Sequence, residues 1–284
     1  MAGSASLPRC HRRPRDGGQR SEGVRVSIDP AATRCVVEPD KPSLADAVAT
    51  RFVGKLVQLT QSQQAVHISL TGGSMGAAVL ERAAAHPGVG MVDWSRTHFW
   101  WSDERFVPRD DAERNALQAR QAMLDRLEIP AENIHEPAAA GEGVTLDEAA
   151  DAYAAELARY GTDQRPWPQF DICFLGVGPD GHIASLFPDR GEVRISDRAV
   201  LAVRDSPKPP PERITFTRPV INSSVRVWMV VAGGDKAPAL GLVLAGASYL
   251  SVPAAGAHGT ARTVIFVDDD AAAEVPEDLI DPDY

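Results

Sequence analysis

Apolar residues along the chain recur with two periods, one typical of helices and one typical of buried strands. The first helical pattern begins at a candidate N-cap, Ser43, and has an apolar residue at every third or fourth position: Leu44, Val48, Phe52, Leu56 and Leu59. Residues 66–70 then alternate like a strand, end in a Thr-Gly-Gly-Ser turn at 71–74, and precede a helix-prone stretch at 75–85. This order predicts a strand, a glycine turn and a helix.

The same alternation continues to the C-terminus. Further strands are predicted at 97–102, 170–175, 199–203, 214–217, 225–231 and 264–267, and further helices at 112–127, 146–160, 237–244 and 271–274. Strands that alternate with helices indicate an α/β fold with a largely parallel sheet. Because no repeat and no linker divides the pattern, we expect one domain over residues 26–284.

Composition narrows the classes of protein that these elements can form. The chain has 284 residues, of which 44% are hydrophobic and 24% charged, as in ordinary globular proteins. A net charge of −10 argues against a nucleic-acid partner, which needs a basic face. No apolar run approaches the roughly 20 residues of a membrane span. Three cysteines without C-x-x-C spacing and seven scattered histidines predict a cytoplasmic protein without a metal site.

Residues 1–25 differ from the rest of the chain. They contain six arginines against two carboxylates, with many Gly, Ser and Pro residues and few apolar ones. Such a segment cannot bury enough surface to offset the entropy of ordering it, and no apolar segment of a secretory signal follows Arg12 and Arg13. We expect a disordered basic tail, either from an over-long gene start, with the true start near Val24 or Val26, or from a transit peptide.

Several predicted strands end in residues that can bind or react with a ligand. In α/β sheets ligands bind beyond the carboxyl ends of the strands. The turn at 71–74 is typical of an anion site, because glycines admit a ligand and a helix start offers free N–H groups; a tight turn without a ligand is the alternative. Asp103, Glu104 and Arg105 follow an aromatic strand. Asp103 can accept a hydrogen bond from a substrate and Arg105 can hold a phosphate, a carboxylate or an oxyanion, whereas a solvated loop is the ordinary interpretation.

The stretch 176–182 is the most distinctive, because glycines at 176, 178 and 181 predict a constrained loop that holds His182. A neutral histidine can accept a proton near pH 7, and Asp180 can orient its ring. If His182 is structural, Asp103 or Glu104 must be the base. Lys236 and Arg213, which adjoin predicted strands, are candidate phosphate cations, although each taken alone is better interpreted as a surface cation.

Together these segments resemble the 6-phosphogluconolactonase family, within the superfamily that includes glucosamine-6-phosphate isomerase/deaminase. The matching stretches follow in family order: 70–74, 101–108, 115, 175–188, 213–215 and 233–237. The resemblance spans about Val26 to Ala272. It departs from the family at Arg114, where Ser is more common, and in the strand at 263–268, which lacks an expected Trp.

The resemblance implies a Rossmann-like three-layer α/β sandwich that needs no cofactor. It implies hydrolysis of 6-phosphoglucono-δ-lactone to 6-phosphogluconate, a step of the oxidative pentose phosphate pathway, so that the partner is a small phosphosugar lactone. We expect a monomer or a weak homo-oligomer. His182 matches the family's base for water, and Asp103 and Arg105 match the loop at the substrate. The sugar phosphate is expected among a further set of residues: Gly72, Gly73, Ser74, Arg213 and Lys236.

Two other functions are compatible with these motifs. An isomerase or deaminase of the same superfamily needs additional acid/base groups, and in deaminases the residues after the Gly-x-Asp-Gly-His motif include Asn-Glu-Pro. Here residues 185–188 read Ser-Leu-Phe-Pro, without a carboxylate. A non-catalytic sugar-phosphate sensor needs an output domain, for which the 25-residue tail is too short and too polar. Both comparisons favour the lactonase.

Overall fold

The computed structural model of the chain describes residues 33–281 together with Met1 and Gly3. Apart from these two residues, the tail expected at 1–25 lies outside the described residues, and its disorder stays a prediction.

The described part of the chain contains nine strands and six α-helices, together with short 3-10 helices and loops. The strands are β1 Thr33–Glu38, β2 Val66–Leu70, β3 Thr97–Trp101, β4 Asp103–Arg105, β5 Ile172–Gly176, β6 Val200–Val203, β7 Arg213–Phe216, β8 Arg226–Val231 and β9 Arg262–Asp268. The helices are α1 Lys41–Ser62, α2 Gly73–Ala84, α3 Asn115–Ala122, α4 Leu146–Ala158, α5 Arg218–Asn222 and α6 Ala237–Leu244. The helix predicted at 271–274 is a short 3-10 helix.

Six strands form a parallel sheet in the order β1-β9-β8-β5-β2-β3. In its register Leu70 lies opposite Trp101, and Gly176 lies opposite Val230. The carboxyl ends of β2, β5 and β8 therefore meet at one edge of the sheet, which brings together the residues that follow each strand. The predicted α/β fold with a largely parallel sheet is confirmed.

Two apolar cores cover the two faces of this sheet, because successive side chains of a strand point to opposite faces. Ile172 and Phe174 belong to the core under α1, α2 and α3. Cys173 and Leu175 belong to the core under α4 and α6. The result is a three-layer sandwich in which Cys173 is a buried core residue, as its apolar setting predicts.

A second, three-stranded antiparallel sheet, in the order β4-β7-β6, is the main difference from the predicted fold. The sequence predicts a loop at residues 103–105. In the structure these residues form β4 and pair with β7, so that Arg105 lies opposite Arg213. Ser102 joins the two sheets: its N–H donates to the Leu70 carbonyl at 3.0 Å, and its carbonyl accepts the Phe216 N–H at 2.7 Å. A strand of three residues is too short for apolar alternation to reveal.

The helix ends also differ from their predicted positions. Helix α1 begins earlier than expected, since its N-cap is Asp40, whose carboxylate accepts the Ser43 N–H at 2.8 Å. Its first turn is polar and exposed, so the apolar pattern could not mark it. Helix α3 covers only the middle of the predicted 112–127. Among the described residues no helix combines the length and apolarity needed to cross a bilayer.

Candidate active site

The strand ends surround a cleft of about 320 Å³ between the two sheets. Seven of the predicted site residues line it: Gly72, Gly73, Asp103, Arg105, His182, Arg213 and Lys236. Asp180 lies behind His182, and Ser74 lines a neighbouring recess. The topology therefore brings the residues after β2, β5 and β8 together with those of β4 and β7.

His182 and Asp180 form a hydrogen-bonded pair at the end of β5. The Nδ1 atom of His182 lies 2.5 Å from Oδ1 of Asp180, and the imidazole stacks on Phe187 with ring centroids 4.7 Å apart. Because a carboxylate only accepts hydrogen bonds, Nδ1 carries the proton and the lone pair is on Nε2. The pair therefore fixes the tautomer that a general base needs, as in hydrolytic triads.

The loop that holds His182 is closed on itself. The Gly178 N–H donates to the His182 carbonyl at 3.0 Å, and the Gly181 N–H donates to the Gly178 carbonyl at 2.9 Å. Gly181 has a positive φ of 79°, which favours glycine. At Gly178 a Cβ atom would lie 2.0 Å from Nδ1 of His182, so only glycine leaves room for the ring.

Lys208 is the site residue that the sequence analysis missed. Its Nζ lies 3.5 Å from Oδ1 of Asp180 and 3.3 Å from Nδ1 of His182, and it lines the cleft. In the sequence Lys208 is recognisable as the one cation of the proline-rich segment 207–211. Nothing in the sequence places that segment at the strand ends, so Lys208 could not be assigned to the site.

Burial lowers the pKa of His182 below its ordinary value, and the Lys208 ammonium lowers it further, against the raising effect of Asp180. Burial raises the pKa of the Asp180 carboxyl, but its hydrogen bond to His182 and the charges of His182 and Lys208 outweigh this and lower it. At pH 7 the pair is therefore a neutral imidazole beside a carboxylate, the state required for accepting a proton.

Arg213 lies against the segment that carries Lys208. Its guanidinium donates to the carbonyls of Pro210 at 3.1 Å, Pro209 at 2.9 Å and Lys208 at 3.0 Å. It also lies 3.9 Å from Oδ2 of Asp103, and burial lowers its pKa. Arg213 thus contributes charge to the cleft and also fixes one wall of it.

Asp103 and Arg105 reach the cleft from one face of β4. The Asp103 carboxylate is buried and accepts a hydrogen bond from Oγ of Ser185 at 2.8 Å. Arg105 donates to the Glu113 carbonyl at 2.6 Å and also lines the cleft. Glu104, the other candidate for the base, is fully buried and points to the opposite face of the strand, toward α3. It is not placed to act on a bound substrate.

The glycine turn after β2 opens a second recess of about 200 Å³, which shares Gly72, Gly73 and Lys236 with the cleft and adds Ser74. Gly73 has a positive φ of 83°, and Gly72 is the N-cap of α2 without a side-chain cap. The exposed first turn of α2 therefore presents main-chain N–H groups beside a lysine. Such a turn is suited to bind an anion.

The described fold and cleft are those of an α/β protein with a candidate site for a small anionic ligand, in which a histidine–carboxylate pair lies beside several cations. The sequence model of glucosamine-6-phosphate isomerases/6-phosphogluconolactonase matches residues 39–266, and the chain belongs to this family. The expected family is confirmed.

Its relatives include two bacterial enzymes named 6-phosphogluconolactonase. The chain is 43% identical over 251 residues to that of Streptomyces coelicolor, covering 87% of this chain and 96% of the relative. It is 45% identical over 241 residues to that of Mycobacterium tuberculosis, covering 84% and 96%.

Solved structures show the same fold. The 6-phosphogluconolactonase from Thermotoga maritima has a TM-score of 0.72 at 29% identity and covers 84% of this chain and 100% of that chain. A monomeric glucosamine-6-phosphate deaminase has a TM-score of 0.69 at 17% identity, covering 85% and 99%. Since both enzymes have this fold, the fold by itself does not separate the two reactions.

We expect Gly178→Ala to break the Asp180–His182 hydrogen bond, because the added Cβ would lie 2.0 Å from the ring and 2.5 Å from the carboxylate. Nitrogen NMR of the imidazole reports this directly, since the loss of a fixed tautomer averages the two ring nitrogen signals. The matched control is Gly54→Ala in α1, where a Cβ meets no atom within 4 Å. It should leave the His182 signals unchanged and stabilise the helix by about 0.5–1 kcal/mol. Unchanged His182 signals in Gly178→Ala would contradict the geometry.

Proposed function

We propose that this protein hydrolyses 6-phosphoglucono-δ-lactone to 6-phosphogluconate in the oxidative pentose phosphate pathway, with His182 as the general base. The observation that carries this proposal is the hydrogen-bonded His182–Asp180 pair, placed in one cleft with a cationic, glycine-lined anion recess. The names of the bacterial relatives, which the chain covers almost completely, support it. The buried free thiols of Cys35 and Cys173 support a cytoplasmic setting.

The reaction begins when Nε2 of His182 takes a proton from water and the hydroxide attacks the lactone carbonyl carbon. Asp180 holds the ring by Nδ1 and stabilises the imidazolium that forms. The ring C–O bond then breaks, and the leaving alkoxide takes the proton back from Nε2. A positioned base of this kind contributes roughly 10²–10⁴-fold to the rate. Because a lactone is an activated ester, modest catalysis of this size is sufficient.

The negative charge that develops on the carbonyl oxygen needs hydrogen-bond donors. Arg105 lines the same cleft as His182, and its cation is suited to this role or to orienting the sugar hydroxyls with Asp103. An oxyanion donor typically contributes on the order of 10²–10³-fold. Lys208, beside the His182–Asp180 pair, adds positive charge at the same end of the cleft.

The sugar phosphate is assigned to the recess over the first turn of α2. Main-chain N–H groups of the turn at Gly72, Gly73 and Ser74 and the Lys236 ammonium can bind it, while Arg213 adds positive charge from the opposite wall. Lys236 is held by an ion pair with Asp235, which a phosphate has to compete with. Because the phosphate is remote from the carbonyl, its binding energy orients the lactone for attack.

The deaminase reaction is the closest competitor. It needs additional acid/base groups, yet Asp103 is the one carboxylate lining the cleft in the described part of the chain. The segment 185–188, where deaminases have a carboxylate, instead supplies Ser185 to Asp103 and Phe187 to the imidazole face. These contacts support lactone hydrolysis.

We expect rapid hydrolysis of fresh 6-phosphogluconolactone in a pH-stat, after subtraction of the spontaneous rate, and negligible turnover of glucosamine 6-phosphate. The second substrate is assayed by release of ammonia and fructose 6-phosphate. Ammonia release at a rate comparable to lactone hydrolysis would show that the chain is a deaminase.

We expect His182→Ala to lower kcat by about 10²–10⁴-fold with little change in KM, because it removes the base and leaves the phosphate contacts intact. The matched control is His258→Ala, a histidine outside the cleft on the loop before β9, which should retain full activity. Corrected turnover within a few-fold of wild type in His182→Ala would make His182 structural and leave Asp103 as the candidate base.

The pH profile gives a second readout of the same role. The acid limb is the fall in activity at low pH, where the neutral base is lost. Since the pKa of His182 is lowered, this limb should lie below pH 6.5, the ordinary pKa of a histidine being about 6.5. Lys208→Met removes a charge that lowers this pKa, so the limb should move to higher pH. A limb that stays in place would show that another group sets it.

We expect Lys236→Ala to raise KM for the phosphorylated lactone by about 10- to 150-fold, since a charge-assisted hydrogen bond contributes roughly 1.5–3 kcal/mol. Gluconolactone without the phosphate is the control substrate. The wild type should hydrolyse this lactone slowly, and Lys236→Ala should hydrolyse it at nearly the same rate. A parallel loss with both lactones would remove Lys236 from the phosphate site.

A further inference from the structure

We infer that Glu104 is a positioning residue, whose buried carboxylate holds β4 and the start of α3 together and so places Asp103 and Arg105 in the cleft. This inference rests on the proposed lactonase function, since its effect is measured as turnover. It assigns a separate task to each residue of the Asp-Glu-Arg segment.

The carboxylate of Glu104 accepts three main-chain hydrogen bonds. Oε1 accepts the N–H of Arg105 at 2.8 Å and that of Asn115 at 2.7 Å, and Oε2 accepts the Ala116 N–H at 2.8 Å. Asn115 and Ala116 form the first turn of α3, and its N-cap residue, Arg114, supplies no side-chain cap. Glu104 therefore caps α3 from the neighbouring strand.

Strand geometry explains why this residue does not face the substrate. Side chains alternate along a strand, so Asp103 and Arg105 point to one face of β4 and Glu104 to the other. Asp103 and Arg105 line the cleft, whereas Glu104 is fully buried. One strand thus presents two polar side chains to the cleft and anchors itself with the third.

Asn115 extends this anchor to the glycine turn. Its Nδ2 donates to the Asp103 carbonyl at 2.8 Å, and its Oδ1 packs so closely on Gly72 that a Cβ there would lie 1.8 Å from it. The helix end that Glu104 caps therefore contacts both Asp103 and the anion-binding turn. A shift of this end moves both sides of the cleft, and a misplacement of about 1 Å can cost on the order of 10²-fold in rate.

The charged and titratable groups around Glu104 come from three elements. Arg114 at the start of α3 is buried, donates to the Arg105 carbonyl and favours the Glu104 carboxylate, while Tyr153 of α4 and Arg213 of β7 also lie within electrostatic range. Burial raises the pKa of Glu104 to about 7, against Arg114 and the three N–H donors. A proton on one carboxyl oxygen turns an O–H toward an N–H donor and so weakens at least one of the three hydrogen bonds.

The test is Glu104→Gln, which keeps the length of the side chain but turns an N–H₂ group toward one of the three donors. We expect kcat for 6-phosphogluconolactone to fall about 10- to 100-fold while KM changes less, because Glu104 binds the β4 main chain at Arg105 directly and reaches the anion-binding turn only through Asn115. The matched control is Glu148→Gln. Glu148 is also a capping carboxylate, accepting the Thr145 N–H at the start of α4, and its loss should leave kcat and KM unchanged.

The pH profile separates positioning from a purely structural role. In the wild type kcat should decline as the pH falls through about 7, where Glu104 gains a proton, before the lower limb set by His182. Glu104→Gln should show only the lower limb. A merely structural residue would change the melting temperature and leave the limbs in place.

Asn115→Ala is the second variant if Glu104→Gln does not fold. It keeps the capped N–H groups and removes the links to Asp103 and Gly72, together with a side chain that lines the cleft. Its kcat should fall by a similar factor, and the double variant should lose little more than the worse single one. Folded variants with kcat within twofold of wild type would overturn the inference. An inactive wild type would instead overturn the proposed function, so the two failures are distinguishable.

Discussion

The geometry of the cleft depends on Ser102, which belongs to two sheets at once. Its N–H extends the parallel sheet beyond Leu70, and its carbonyl extends the antiparallel sheet at Phe216. Both groups are buried, and a buried main-chain group without a partner is costly, so the crossover cannot shift by a residue. This constraint brings Asp103 and Arg105 opposite the glycine turn and the His182 loop.

The His182–Asp180 pair shows how burial and charge are balanced in this cleft. Burial of a histidine favours its neutral form, whereas a carboxylate at hydrogen-bond distance favours the imidazolium. Burial is the largest effect and keeps the pKa of His182 below its ordinary value, and Lys208, which lies near both partners, adds to it by repelling a proton on the imidazole. The same lysine stabilises Asp180 as a carboxylate. The pair is thus held as a neutral imidazole beside a carboxylate, the protonation states that the proposed hydrolysis requires.

Much of this arrangement could be predicted from the sequence, because long strands and helices leave periodic patterns and glycines mark the turns between them. The parallel sheet, the turn at 71–74 and the pairing of Asp180 with His182 follow from such local signals. Strand β4 does not, since three residues carry no period. Lys208 and Glu104 could not be assigned either. The side of a strand that faces α3, and the position of a proline-rich segment, are set by tertiary contacts that a single sequence does not display.

The three carbonyls bound by Arg213 determine which wall of the cleft is held in place. A segment that moved away from this guanidinium would break three hydrogen bonds from a buried cation, which is costly. The wall at 208–210 is therefore fixed, and it does not behave as a lid. Gly73 and Ser74, at the opposite rim, are exposed. The open side of the cleft is therefore the first turn of α2, which faces solvent.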